Sequence, residues 1–243
     1  MAVSRSASRI VWVGVYFLVL VGVAAVARRT IVLLFPGTLG SGSAIPAAAL
    51  DTGFSRHTVL TLIHILPGAL FLMLAIAQFM PSVRQKHLQF HRWSGRFLVV
   101  LGLIIGISAL VMSFKMNIGG PNETAATTLY SIVFLICLTK AYLLARRREI
   151  AHHREWMIRA YAVGLGVATT RPIVGAFFAF RRLTPHEFFG IAFWLGFTTT
   201  FMVAEAWIDY TRAHGAYKHT AARLRRRWTD ECVRPYTGLS HPR

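Results

Sequence analysis

Long apolar runs alternate with short basic segments along nearly the whole chain. The runs fall at 10–27, 58–80, 97–114, 126–145, 157–180 and 188–208. A helix that crosses the hydrocarbon of a bilayer needs about 20 mostly apolar residues. Lipid offers no partner to a backbone N–H or C=O, so each run has to close its own hydrogen bonds as a helix. The runs are too long and too continuously apolar for the alternating strands of a membrane barrel. The pattern predicts an all-α fold, a polytopic transmembrane helix bundle of about six spans. One membrane domain is expected over 1–210, followed by a basic tail over 211–243. The first run follows Arg5 and Arg9, as a signal peptide does. No small-residue cleavage site follows closely: Arg28 and Arg29 come next, then apolar residues from Ile31 to Phe35. It is read as a retained helix.

Composition agrees with this reading. The 243 residues are 55% hydrophobic, with a mean hydropathy of +0.51, above what a soluble domain of this length usually carries. The net charge of +18 changes the picture only through where it lies. Placing the N-terminus inside puts 19 Lys and Arg on the inner side and 6 on the outer. That asymmetry is the positive-inside pattern. It predicts two cytoplasmic termini and an integral cell-membrane protein. It also argues against nucleic acid as the partner. The tail cluster Arg223, Arg225, Arg226 and Arg227 suits anionic lipid headgroups instead. The two cysteines, Cys137 inside the fourth span and Cys232 in the tail, imply no disulfide framework.

The segments between spans are short. Residues 36–56, with Pro36-Gly37, Gly40-Ser41-Gly42 and Pro46, read as an irregular outer connector. Gly119-Gly120-Pro121 reads as a turn, and Asn122-Glu123-Thr124 fits a glycosylation sequon. Residues 81–96 and 146–156 join spans on the inner side. The tail after Tyr210 is expected to lie on the membrane or to be partly disordered. Gly102 with Gly106, and Gly164 with Ala168, share helix faces that let a neighbouring backbone approach closely.

Polar residues inside the spans carry the candidate chemistry. They are His64 and Gln78 in the second span, Arg171 in the fifth and Glu205 in the sixth. A central charge costs about 2.5–3.5 kcal/mol on insertion scales, so such a residue is either paired or used. His64 and Arg171 both lie about 10 Å below the outer edge, counting ~1.5 Å per residue. Pro67 and Pro172 follow them and free the carbonyls of Ile63 and Ala168. A polar pocket in the outer half follows, with Arg171 as its fixed cation and an anionic or carbonyl-bearing ligand to suit it. The competing structural reading has Arg171 snorkelling or bonding the freed carbonyls. Glu205 is level with Arg159 and is expected to pair with an arginine, a proton-handling carboxylate being the alternative.

Two inner segments are dense in chemistry: His87-Leu88-Gln89-Phe90-His91-Arg92-Trp93-Ser94-Gly95-Arg96 and His152-His153-Arg154-Glu155-Trp156-Met157-Ile158-Arg159. Trp93 and Trp156 fit an interfacial aromatic belt. His87 and His91 would share a face of a helix and, with His153, three metal ligands. No acidic or cysteine ligand completes that set, and no metal is assigned. His91 and His153 lie at one depth, as the two axial ligands of a b-type haem do; helix capping is the plainer role. His64 has no histidine at its own level, since His186 is nearer the surface. No phosphate-cradling glycine loop, Gly-x-Ser-x-Gly or His-Glu-x-x-His motif occurs, so the sequence does not decide whether the protein is an enzyme.

The run His64-Ile65-Leu66-Pro67-Gly68, the run His91-Arg92-Trp93-Ser94-Gly95-Arg96, and His153-Arg154-Glu155-Trp156-Met157-Ile158-Arg159 followed by Arg171 resemble a family of predicted multi-pass membrane proteins, domain of unknown function 2306. The resemblance covers 57–210 and leaves out the basic tail. It supports the architecture and marks Arg92, Gly95, Arg96, Trp156 and Met157 as interfacial motif residues, and it brings no reaction. Three classes of function stay open: a haem or small-ligand binder, a small-molecule transporter or permease-like protein, and a non-catalytic component that docks a partner complex.

Overall fold

The structure is a computed structural model that describes residues 5–35, 53–116, 118–180 and 184–232. Most of the 36–56 connector, Arg181, Arg182 and the end of the tail lie outside the described residues, as do the side chains of the tail's arginine cluster. Among the described residues seven helices of six residues or more follow in order: α1 (Arg5–Leu34), α2 (Thr58–Phe79), α3 (Pro81–Lys86), α4 (Leu88–Lys115), α5 (Gly120–Arg146), α6 (Ile150–Phe180) and α7 (Pro185–Cys232). All except α3 are long and apolar enough to cross a membrane, which gives six candidate spans. No strand occurs among the described residues.

The helices run past their apolar stretches. α4 starts at Leu88 and α6 at Ile150, so most of both histidine-bearing segments is helical. Hydropathy marks only the part of a helix that suits hydrocarbon. Arg, His, Glu and Gln continue the same i→i−4 ladder at the interface, where their side chains reach water. The tail, expected on the membrane or partly disordered, has a helical backbone as far as it is described. Beyond Tyr210 it continues α7 as helix as far as Cys232. Alanine and arginine are frequent there, and no proline intervenes before Cys232. His87 departs from expectation. It is the N-cap of α4, with φ −128° and ψ 53°, and its carbonyl accepts the His91 N–H at 3.0 Å. It therefore does not share a helix face with His91.

Side-chain volume decides where the helices meet. A Cβ on Gly102 would lie 2.5 Å from Leu138 Cδ2, and one on Gly106 would lie 2.5 Å from Leu135 Cδ2, so α4 seats α5 against its two glycines. On α6 the close contact is not at the expected Gly164 and Ala168. Gly166 makes it, where a Cβ would come within 2.2 Å of Phe197 Cδ1, and a Cβ on Gly196 of α7 would lie 2.7 Å from Thr170 Cγ2. Gly164 has ordinary contacts only, its nearest atom being Phe71 Cε1 at 3.6 Å. The shared core holds Phe71, Leu98, Phe134, Leu138, Ala160 and Tyr161, and the Tyr161 hydroxyl donates to Leu72 O at 3.1 Å. Ile63, Leu66, Val100, Ile107, Ile132 and Val203 face outward. Lipid is the solvent that leaves such an apolar surface without penalty. α1 leans on α2 and α6.

Candidate functional site in the half of the bundle away from the basic segments

The six spans line a cavity of about 180 Å³. Its walls come from the C-terminal halves of α1, α4 and α6 and from the N-terminal halves of α2, α5 and α7. It therefore lies in the half of the bundle away from Arg84, His91 and His153. His64 and Arg171 both line it. Pro172 follows Arg171 directly and lacks the N–H that would bond the Ala168 carbonyl, and Ala168 is itself part of the wall.

The polar groups of the cavity have different states of satisfaction. Ser108 Oγ lies 2.6 Å from Ile104 O and 3.0 Å from His64 Nδ1. A hydroxyl has one hydrogen, and Ser108 gives it to the backbone carbonyl. His64 Nδ1–H is then the donor to Ser108, and Nε2 is left as an acceptor without a partner among the described residues. Arg171 has no hydrogen bond and no ion pair with any described residue. Glu123, buried at the start of α5, accepts the Gly119 N–H at 2.6 Å through Oε2 and also faces the cavity. Thr127 Oγ1 is buried, lines the cavity and has no partner among the described residues. The Tyr130 hydroxyl is 2.7 Å from Thr198 Oγ1.

The turn beside Glu123 is tight. Gly120 takes φ +66°, and a Cβ there would lie 2.8 Å from His186 Nε2. Gly119 and Gly190 pack backbone to backbone, a Cβ on Gly119 lying 2.7 Å from Gly190 N. These glycines let the start of α7 close on the start of α5. Trp194 Nε1–H donates to Asn122 Oδ1 at 2.9 Å, so the asparagine of the sequon is engaged by a neighbouring helix.

The remaining sequence candidates lie toward the basic end. Arg159 donates through Nε at 2.5 Å and through Nη2 at 2.8 Å to the two oxygens of Glu205, and its guanidinium stands 4.8 Å from the Trp156 ring. Arg212 and Glu155 form a second two-bonded pair between the same helices. Gln78 is buried and donates to Ser94 Oγ at 2.6 Å, tying α2 to α4, and a Cβ on Gly95 would be 3.5 Å from Gln78 Oε1. Arg96 stacks on Trp93 at 5.0 Å, Arg92 is exposed, and Met157 is half-buried. His153 Nδ1 donates to Ala141 O at 2.8 Å, whereas the buried Nδ1 of His91 has no partner among the described residues. Neither histidine lines the cavity. Among the described residues no three His, Cys, Asp or Glu side chains gather as a metal site.

Residues 61–208 match the family described as Predicted membrane protein (DUF2306). The chain belongs to that family. No curated protein and no solved structure matches it. The DUF2306 match contains every candidate named above from His64 to Glu205, and it leaves out α1 and the end of α7. The cavity is thus a DUF2306 bundle closed on one side by α1, through residues such as Val26 and Arg29. Sequence reasoning passed over Ser108, Glu123, Thr127 and Tyr130. Glu123 offered the one available signal, a carboxylate at the margin of an apolar run. Serine, threonine and tyrosine inside a span carry no such mark.

Proposed function

We propose that this membrane protein binds a small anionic or carbonyl-bearing molecule in the cavity between its spans, with Arg171 as the recognition cation and His64 beside it. The carrying observation is a guanidinium that lines a cavity and has no hydrogen-bonding or ion-pairing partner among the described residues. An unpaired charge at that depth costs about 2.5–3.5 kcal/mol, and a ligand carboxylate presents two oxygens that match the guanidinium fork. Glu205 is taken up by Arg159, so it is not a free carboxylate for a permeation path. This favours binding over a permease-like role. The asymmetry of charge supports an orientation with the basic end, and both termini, in the cytoplasm of a cell membrane, where that end meets anionic headgroups.

The test is binding of benzoate and hexanoate to the protein in lipid nanodiscs, read by calorimetry. Arg171→Gln keeps a polar side chain and removes the charge. A charged hydrogen bond contributes about 1.5–3 kcal/mol, so a loss of roughly 10- to 100-fold in affinity is expected. Equal affinity in the folded variant overturns the proposal.

A second reading rests on His91 and His153. Each keeps a ring nitrogen without a partner among the described residues, and His153 is held by Ala141 O in the way a metal-bound histidine is oriented by a carbonyl. That pair would hold a b-type haem, which would supply one-electron chemistry when bound. A Soret band in the detergent-purified protein, lost in His91→Ala, supports it. A colourless preparation from haem-replete cells ends it.

A further inference from the structure

We infer that the occupant of the cavity is a single-ring aromatic acid carrying a ring hydroxyl. The inference rests on the anion-binding reading above and narrows it by size, by the chemistry of the walls and by the polar atoms that Arg171 leaves unserved.

Size comes first. A protein cavity of about 150 Å³ holds benzene. The 180 Å³ here matches one six-membered ring with small substituents. The walls come second. Six aromatic rings line the space: Phe54, Phe71, Tyr130, Phe134, Phe193 and Phe197. Packing holds them in place. Phe71 meets Phe134 edge to face at 5.7 Å, Phe193 meets Phe197 at 5.7 Å and 62°, and Phe197 stacks on Tyr130 at 4.9 Å. Phe71 and Phe134 are 2% and 3% exposed, so neither can turn aside for a bulkier guest. A planar ring makes offset or edge-to-face contacts with such walls, each worth about 0.5–1.5 kcal/mol beyond the area it buries. A saturated ring of the same size cannot.

The polar complement comes third. Arg171 serves the acid. What remains asks for a donor: the Nε2 acceptor of His64, the spare accepting capacity of Glu123, and the buried, unpartnered hydroxyl of Thr127. The Glu123 carboxyl also disfavours a second anionic group on the ligand. A phenolic hydroxyl supplies the hydrogen that these groups can take and adds no charge at neutral pH.

Four probes separate the steps, each titrated into the full-length protein in nanodiscs: 4-hydroxybenzoate, benzoate, cyclohexanecarboxylate and hexanoate. Benzoate is expected to bind at least fivefold tighter than cyclohexanecarboxylate, about the factor that one aromatic contact gives. 4-Hydroxybenzoate is expected to bind at least fivefold tighter than benzoate, the effect of one net hydrogen bond. Thr127→Val should shrink the gap between the two aromatic acids, and an unchanged gap in the folded variant would remove Thr127 from the donor argument. If cyclohexanecarboxylate or hexanoate matches benzoate in an Arg171-dependent way, the aromatic inference is overturned and the anion site stands. If the hydroxyl brings no gain, the donor argument falls. If no acid binds, or if Arg171→Gln binds them all equally, both readings fall together.

Discussion

Arg159 and Arg171 lie on one helix, and their surroundings give the same side chain two different fates. Arg159 meets Glu205 through two bonds and leans on Trp156, so its charge is balanced within the protein. Arg171 has no partner among the described residues and lines the cavity. Glu205→Gln therefore strands a charge that its neighbours were arranged to neutralise. The two side chains are 13% and 31% exposed, which allows water to soften the effect. A loss of about 1–2 kcal/mol is expected, and a matched change, Arg159→Gln with Glu205→Gln, should recover part of it. Unfolding in detergent of the two single variants and the double variant measures this; additive losses would mean that the pair is not coupled. Both arginines were legible in the sequence because a charge inside an apolar run stands out, and residue counting put Glu205 level with Arg159 and His64 level with Arg171. The rest of the cavity was not legible. Glu123 in a first helical turn reads as an ordinary favourable charge near a helix N-terminus. Thr127 and Ser108 read as helix filler. Gln78 stood out, but its partner Ser94 lay in a segment taken for a connector, which the structure makes part of α4.

At the scale of helices, contact between spans is set by where side chains are missing. In lipid no hydrophobic force drives one apolar helix onto another, and close packing has to do it. The crossing of α6 and α7 depends on Gly166, whose absent Cβ leaves room for Phe197. Phe197 is stacked on Tyr130, so it cannot move aside. Gly166→Ala is expected to cost about 1–3 kcal/mol through overpacking and to loosen the aromatic wall of the cavity. Gly14→Ala on α1, where nothing lies within 4 Å, is the control and should be neutral or stabilising by up to about 1 kcal/mol. Thermal unfolding of the two variants compares them; equal midpoints would show that the α6–α7 contact is looser than drawn. The sequence made Gly102 and Gly106 visible because two small residues four apart mark one face. Gly166 and Gly196 act from different helices, and no spacing along the chain records such a meeting. The helix ends were illegible for a related reason: apolar content reports where hydrocarbon would lie, and the backbone ladder continues until something breaks it.

At the scale of the molecule, six crossings place the start of α1 and the end of α7 on one side, and the charge pattern proposes which side that is. Lys and Arg number 19 in the segments at that end and 6 at the other. Positive charge resists translocation, so the basic end is expected in the cytoplasm and the cavity half toward the exterior. Reporter fusions after residues 50, 118 and 183 should then be active only outside, and fusions after residues 87, 149 and 243 only inside. Residues 50 and 149 are separated by three spans, an odd number, so they must lie in opposite compartments. Finding them together would remove one crossing and with it the six-walled cavity. Finding all six positions inverted would keep the fold and turn the cavity toward the cytoplasm. The ligand would then have to come from cytoplasmic pools. The fusion series thus decides from which side the binding experiments with the aromatic acids should be run in sealed vesicles. An acid supplied from the cavity side should bind at once, and one supplied from the basic side should wait on its slow passage through the bilayer.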